Sequence, residues 1–449
     1  MPKKKNEKTI EQIYQKMSQK EHIKKRPDTY VGDIKPQKLD MWIPNKDNTK
    51  MLQKTVKYVP GMYKVIDEII TNAGDRLTED KKCDTVKISY SLNEDKTKLE
   101  ISVFNNGKGI PIVEHNEYKI YVPTLVFGRL LSSSNFNDDE ERKAGGRNGY
   151  GAKLANIFST DFTIETVDDV NKKKLIQSWH QNMDIEDPPK VTSCKKGKSY
   201  TQVTFCIDIN MFNIKKVSND MLKMIDKRAF DLAATVGSNK KIYLNDKRIP
   251  INNFKKYVEM FMDNESKLVF DNFGNDWSVG VSYKPDQGFQ QVSYVNGIAT
   301  FKGGNHVKHV EDAIIKSLVA IMKKKSKDVK IKSSHLKEHL SFFVNCMVVN
   351  PAFTSQTKEE LKTLPEEFGT VCNISDAFIK KIQKTGLTDR VLQYVKIKES
   401  TFLKKSDGKK TQSVRGIDKL TDASWAGHKT KSKNCILILT EGDSAKGLA

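Results

Sequence analysis

Apolar residues Met62, Val65, Ile66, Ile69, Ile70 and Ala73 recur three and four positions apart, which predicts one face of an α-helix. Glu68, Asn72 and Asp75 or Arg76 fall at the same spacing on another face. That face carries a carboxylate and an amide one turn apart instead of the usual solvated Glu/Lys mixture. From Tyr63 to about Arg248, helical patterns alternate with short strands: "TVKISYSL", "KLEISVFN", "DFTIETV", "SYTQVTFCI" and "KKIYLND". The pattern is that of an α+β sandwich. A second unit contains strands "VGVSYK", "QQVSYVNGIAT" and "LSFFVNCMVVN" and the long helix "HVEDAIIKSLVAIMKKK". The basic run Met322 to Lys332 follows that helix and is expected to be a loop before a strand. A polar arm with a helical segment precedes the first unit, up to Lys25. Residues 401–433 are polar and linker-like. In the closing "KNCILILTEGDSAKGLA", Cys435 to Leu439 predict an apolar strand. A buried strand of that kind needs neighbours, so the chain is expected to be the front part of a longer polypeptide.

At 449 residues the chain has room for about three domains. Its formal net charge of +21 suits a polyanionic partner, although a Lys-rich surface alone gives the same figure. Six scattered cysteines with no CxxC pair argue against a disulfide framework or a zinc site and for a reducing compartment. No apolar run approaches membrane-spanning length. "MPKKKNEK" lacks the apolar segment of a secretory signal.

Chemistry concentrates in three loops beside the opening helix. "NNGKGIP" runs from Asn105 to Pro111, "SSSN" ends at Asn135, and "GGRNGYGAK" runs from Gly145 to Lys153 before the apolar "LANIF". The last lacks the GK[ST] ending of a P-loop. A glycine-rich turn feeding a helix still offers backbone N–H groups to an anion.

In this order, the acidic/amide helix, N-x-G-x-G, the Ser/Asn loop and G-x-x-G-x-G-x-K resemble the Bergerat ATP-binding fold of the GHKL superfamily. "IYQKMSQKEHIKKRPDTYVGD", "GGRNGYGAKLANIFSTDF", "YVNGIATFKGGNH", "NPAFTSQTKE" and "ILTEGDSAKGLA" resemble the eukaryotic-type DNA topoisomerase II family, from about Ile10 to Ala449. The resemblance implies an N-terminal arm (1–25), a GHKL ATPase domain (26–248) and a transducer domain with a left-handed βαβ crossover (249–400). A linker (401–433) and the first strand of a TOPRIM domain (434–449) would follow. It implies ATP and Mg²⁺ as cofactors, double-stranded DNA as partner and a homodimer closed by ATP at this end. Such a protein works in the nucleus if cellular, or in a viral factory or virion if viral, and is not secreted.

The same resemblance assigns roles. Glu68 is the general base that activates the attacking water, and Asn72 gives Mg²⁺ a hard oxygen. Asn105 meets the adenine edge, while Gly107 and Gly109 let the backbone approach the base. Ser133, Ser134 and Asn135 touch ribose and phosphates. Gly146, Arg147, Asn148, Gly149, Tyr150, Gly151, Ala152 and Lys153 form a lid over the phosphates. Tyr14 reaches the nucleotide of the opposite subunit. Gln356, Thr357 and Lys358 complete the site from the transducer; Lys358 senses the γ-phosphate and Gln356 helps place the water. Lys323, Lys324 and Lys325 touch DNA phosphates without reading sequence. Glu441 is the first acid of a TOPRIM Mg²⁺ site, whose later acids and tyrosine nucleophile are absent here, so this chain alone is not expected to cleave DNA. Gly74 and Arg76 stand where relatives usually show Ala and Asn, and Arg76 is expected to meet a phosphate or a nearby acid. "HLKEH", His335 to His339, fits an inverted zinc-protease pattern, but it runs straight into an apolar strand.

Overall fold

The computed structural model describes residues 9–132, 141–143, 149–284, 288–326, 331–406, 421–428 and 430–441. The expected helix spans Pro60–Glu79, with Pro60 at its first turn where a missing N–H costs nothing. Its apolar stripe is buried, and so are Lys64, Asp67, Glu68 and Thr71 on the polar side. The polar side is therefore buried as far as Glu68 and Thr71, while Asn72 is exposed and Asp75 and Arg76 are half-buried.

That helix packs on strands Thr85–Leu92 and Leu99–Asn106 of a nine-stranded sheet. The sheet runs in the order 247–248, 241–244, 85–92, 99–106, 200–207, 159–168, 173–180 and 185–186, with 190–193 also pairing 173–180. It is antiparallel except where Lys241–Leu244 runs parallel to Thr85–Leu92. In Leu99–Asn106 every second residue is buried: Leu99, Ile101, Val103 and Asn105. Period-two alternation thus sets Asn105 at the end of an apolar row, on the core face. Helices Gly151–Ile157 and Asn219–Thr235 lie beside Pro60–Glu79.

A second sheet holds Lys267–Phe273, Trp277–Tyr283, Leu340–Cys346, Gln290–Val295 and Ile298–Ala299, in that order. Gln290–Val295 and Leu340–Cys346 are parallel neighbours, and the helix Asn305–Lys325 makes the crossover between them. Gly303–Gly304 pairs in parallel with Glu360–Leu361, which ties the segment around Lys358 to this unit. Helix Leu387–Ser406 runs across position 400, inside the boundary expected for the linker.

Several expectations are corrected. Lys323, Lys324 and Lys325 are not in a loop but form the exposed last turn of Asn305–Lys325. Three cations there complement the negative end of the helix dipole. The next element is a helix, Ser333–Lys337, and not a strand. Cys435 to Leu439 form no strand, and Ile436, Leu437, Ile438 and Leu439 are exposed; no described strand lies beside them to supply ladder bonds. The turn-rich entry is followed by a hairpin, Gln37–Pro44 with Met51–Tyr58, that the sequence pattern did not announce. Its central strand positions, from Leu52 to Thr55, are exposed, so apolar alternation is weak.

Candidate active site

A cavity of about 250 Å³ opens beside the helix Pro60–Glu79. Glu68, Asn72, Asp75 and Arg76 line it from that helix, and Asn105 and Thr201 from paired positions of adjacent strands. Gly149, Tyr150, Gly151, Ala152 and Lys153 close one side, and Gln356 and Lys358 enter from the second unit. Val103, Val203 and Ile110 give the floor an apolar surface suited to a flat ring. Ser133, Ser134, Asn135, Gly146, Arg147 and Asn148 lie outside the described residues.

Glu68 is buried, and its carboxylate lies 2.6 Å from the Lys64 ammonium and 3.9 Å from that of Lys358. Burial alone would raise this carboxyl, but Lys64 and then Lys358 outweigh it and hold it below the usual carboxylate range. Asn72 is exposed in the cavity wall, one turn away. Its neutral oxygen suits a hard ion that keeps most of its own waters and phosphate ligands.

Lys153 is buried at the start of Gly151–Ile157, and its ammonium donates to the Ser132 carbonyl at 2.6 Å. Burial pushes it down to about 8. A cation held at a cost in an apolar setting gains most from an arriving anion. Lys358 is buried in a left-handed backbone conformation (φ 59°), and its N–H closes a turn onto Ser355. A side-chain-bearing residue held there marks a strained position. Burial lowers the Lys358 ammonium despite Glu68.

Gly109 owes its lack of a side chain to the sheet: a Cβ there would stand 1.9 Å from the Val167 carbonyl oxygen. Arg76 lies 3.8 Å from Glu79, three residues on. At Gly74 a Cβ would come within 2.8 Å of Leu232 Cδ1, so the glycine lets the helix Asn219–Thr235 approach. Tyr14 is 79% exposed, so its side chain is not packed into the core formed by the described residues. The nearby helix Gln19–Lys25 is docked: Gln19 donates to the Tyr150 hydroxyl at 2.7 Å, and Lys20 and Lys24 pair with Asp184. Glu441 is exposed, and no group of three or more metal-ligating side chains occurs among the described residues. His335 and His339 both set their rings against Tyr394, with centroids 6.5 and 6.1 Å away.

Residues 58–210 match the family of histidine kinase-, DNA gyrase B-, and HSP90-like ATPases, and residues 238–411 match DNA gyrase B. The ATPase region of topoisomerase II from Saccharomyces cerevisiae is 43% identical, with a TM-score of 0.79 over 85% of this chain and 98% of that one. The chain belongs to the DNA topoisomerase II family. The ATPase and transducer domains of DNA topoisomerase II from Balamuthia mandrillaris are 36% identical, with a TM-score of 0.82 over 88% of this chain and all of that one. DNA topoisomerase 2 of Bombyx mori is 46% identical over 98% of this chain, which spans 29% of that relative's length.

The chain has charged residues around the site that sequence reasoning did not find. Lys64 is one. Asp67 pairs with the buried Arg228 of helix Asn219–Thr235, and Arg228 also donates to Thr71 at 3.2 Å. The adjoining Lys227 pairs with Asp231, which accepts from the Tyr294 hydroxyl at 2.8 Å and from Tyr257. Arg142 exchanges bonds with Asn350, and Lys143 pairs with Asp276 at 2.6 Å, both in the second unit. Only the i,i+4 relations of Lys64 to Glu68 and of Lys227 to Asp231 were visible as spacing. The other partners lie far apart in the chain, from 26 residues for Tyr257 and Asp231 to 208 for Arg142 and Asn350.

Proposed function

We propose that this chain is the ATP-operated gate of a type IIA DNA topoisomerase, in which two copies close on binding ATP and trap a DNA duplex. The observation that carries the reading is the double origin of the cavity. Glu68, Asn72, Asn105 and Lys153 come from the first unit, and Gln356 and Lys358 from the second. A triphosphate contacted from both sides would couple its own state to the angle between the units.

In this reading Asn105 meets the base and Lys153, with the N–H groups beside it, holds the phosphates. Glu68 takes the proton of the attacking water, and Gln356 orients that water. Lys358 stabilises charge on the transferred phosphoryl group and releases it after hydrolysis. Asn72 would hold Mg²⁺, an ion that supplies charge neutralisation of the phosphates. Ser133, Ser134, Asn135, Gly146, Arg147, Asn148, Gly149, Tyr150, Gly151 and Ala152 would complete the nucleotide shell. The exposure of Tyr14 suits a residue that reaches the partner copy. The exposed lysines Lys323, Lys324 and Lys325 would contact DNA phosphates. Glu441 would serve a TOPRIM Mg²⁺ site. The domain boundaries are proposed at 25, 248 and 433, with the second unit extending through the helix Leu387–Ser406, and the compartment as the nucleus. No described helix is long and apolar enough to cross a membrane.

Sedimentation of the chain with and without a non-hydrolysable ATP analogue and Mg²⁺ tests the gate. A shift from monomer to dimer is expected. Nucleotide binding without a change of mass would reject arm exchange and gate closure together.

A further inference from the structure

Glu68 is served by two ammonium groups that reach it from different places. Lys358 belongs to the second unit and lines the nucleotide cavity; Lys64 does not line it. Lys64 stands one turn earlier on the same helix and lines a small separate cleft with Tyr58, Tyr63, Phe301 and Glu359. Both cations approach the same oxygen, Oε1, at 2.6 Å for Lys64 and 3.9 Å for Lys358. The other oxygen, Oε2, faces Gly151, where a Cβ would stand 2.1 Å from it. Gly151 lines the nucleotide cavity. The carboxylate is thus held by one oxygen from behind while the other looks toward the lid side of the cavity.

We propose that Lys64 is a positioning residue for hydrolysis: from outside the nucleotide cavity it keeps Glu68 ionised and aimed once Lys358 is engaged by the triphosphate. The inference rests on the reading of Glu68 as the base. Of the two cations on Glu68 only Lys358 lines the cavity, and on engaging a phosphate there it leaves Glu68 with one cation fewer beside several new negative charges. Burial and those charges both favour the protonated carboxyl, which cannot accept a proton from water. The remaining charged groups do not replace Lys358. Asp67 is adjacent and anionic, and Arg228 is committed to Asp67. Asp75 acts on Lys358 in the same sense as Glu68, and Lys153 is held at the Ser132 carbonyl. Lys64, fixed to the same helix as Glu68, stays in place through any change of angle between the units.

The test is the pH profile of steady-state ATP hydrolysis by the full chain and its Lys64→Met and Lys64→Arg variants, with affinity for a non-hydrolysable analogue measured separately. Lys64→Met is expected to move the acid limb of kcat upward by about one pH unit or more. Its rate should fall about tenfold or more on that limb and recover as the pH rises, with analogue affinity within about twofold of the parent. Lys64→Arg should restore the parental limb. If Lys64→Met fails to bind the analogue because it does not fold, Lys64→Gln, which keeps a donor without the charge, is read in its place. An unmoved limb, or a loss by the same factor at every pH, overturns the inference. Glu68→Gln in the same series separates the two readings: if it hydrolyses ATP at the parental rate, the base assignment itself fails, whatever Lys64 does.

Discussion

A Cβ built on Gly151 would lie 2.1 Å from Oε2 of Glu68 and 3.2 Å from its Cβ. The first residue of the helix Gly151–Ile157 and the buried acid of the long helix therefore share one space. Gly151→Ala is expected to displace the carboxylate from its place between Lys64 and the cavity. The overpacking costs about 1–3 kcal/mol, read as a lower melting temperature, and ATP turnover should fall about tenfold or more. A variant with parental turnover would show that the carboxylate has room to move without consequence.

Glu68→Gln keeps the shape of the side chain and removes its basicity. It should bind the non-hydrolysable analogue with near-parental affinity and lose roughly 10²–10⁴-fold in turnover. Equilibrium binding and phosphate release, measured on one preparation, separate the two effects.

Lys153, held at about 8 by burial, makes nucleotide binding pH-dependent in a defined direction. An anion favours the protonated lysine, so affinity should be greatest below that value and decline as the pH rises through it. Stability without nucleotide has the opposite slope. The unfolded chain binds this proton more tightly than the folded one, so between about 8 and the ordinary lysine value of about 10.4, raising the pH relieves a cost of folding. Titration calorimetry with the analogue from pH 7 to 9.5 should follow the decline, and Lys153→Met should flatten it.

Arg228 and Asp67 form a buried ion pair, with Arg228 the less exposed of the two. Arg228→Met leaves Asp67 buried and charged with only the longer Lys64 contact at 3.9 Å and should cost up to about 3–5 kcal/mol in denaturant unfolding. Adding Asp67→Asn should recover part of that loss, and a double variant no more stable than the single would show that the pair is not where the cost arises.

Replacing Lys323, Lys324 and Lys325 by Ala should weaken the DNA response of ATP turnover and lower the salt slope of DNA binding by about 0.9 for each phosphate no longer neutralised. An unchanged slope would place the DNA-binding surface elsewhere on the chain.

What could be read from the sequence was local. The alternation in Leu99–Asn106 set Asn105 on the buried face, and helical spacing set Glu68 and Asn72 on a common side. Periodicity gave the direction of that side but not its burial, because Lys64, Asp67 and Thr71 have the composition of a wet surface. Three lysines in succession at 323–325 suggest a loop, yet a helix end welcomes them. Asp67 with Arg228 and Arg142 with Asn350 stayed invisible because chain distance carries no information about which helices or loops pack together. Cys435 to Leu439 show the converse: a strand-like sequence forms no strand where no described neighbour completes its ladder.

Consecutive residues of an α-helix point about 100° apart. In Asn219–Thr235, Arg228 is bonded to Asp67 of the first unit, while Lys227 reaches the Tyr294 hydroxyl of the second. Two bonds in different directions from one axle act like a key in a slot. The helix cannot roll about its own axis without breaking one of them, so its rotation is locked to both units at once.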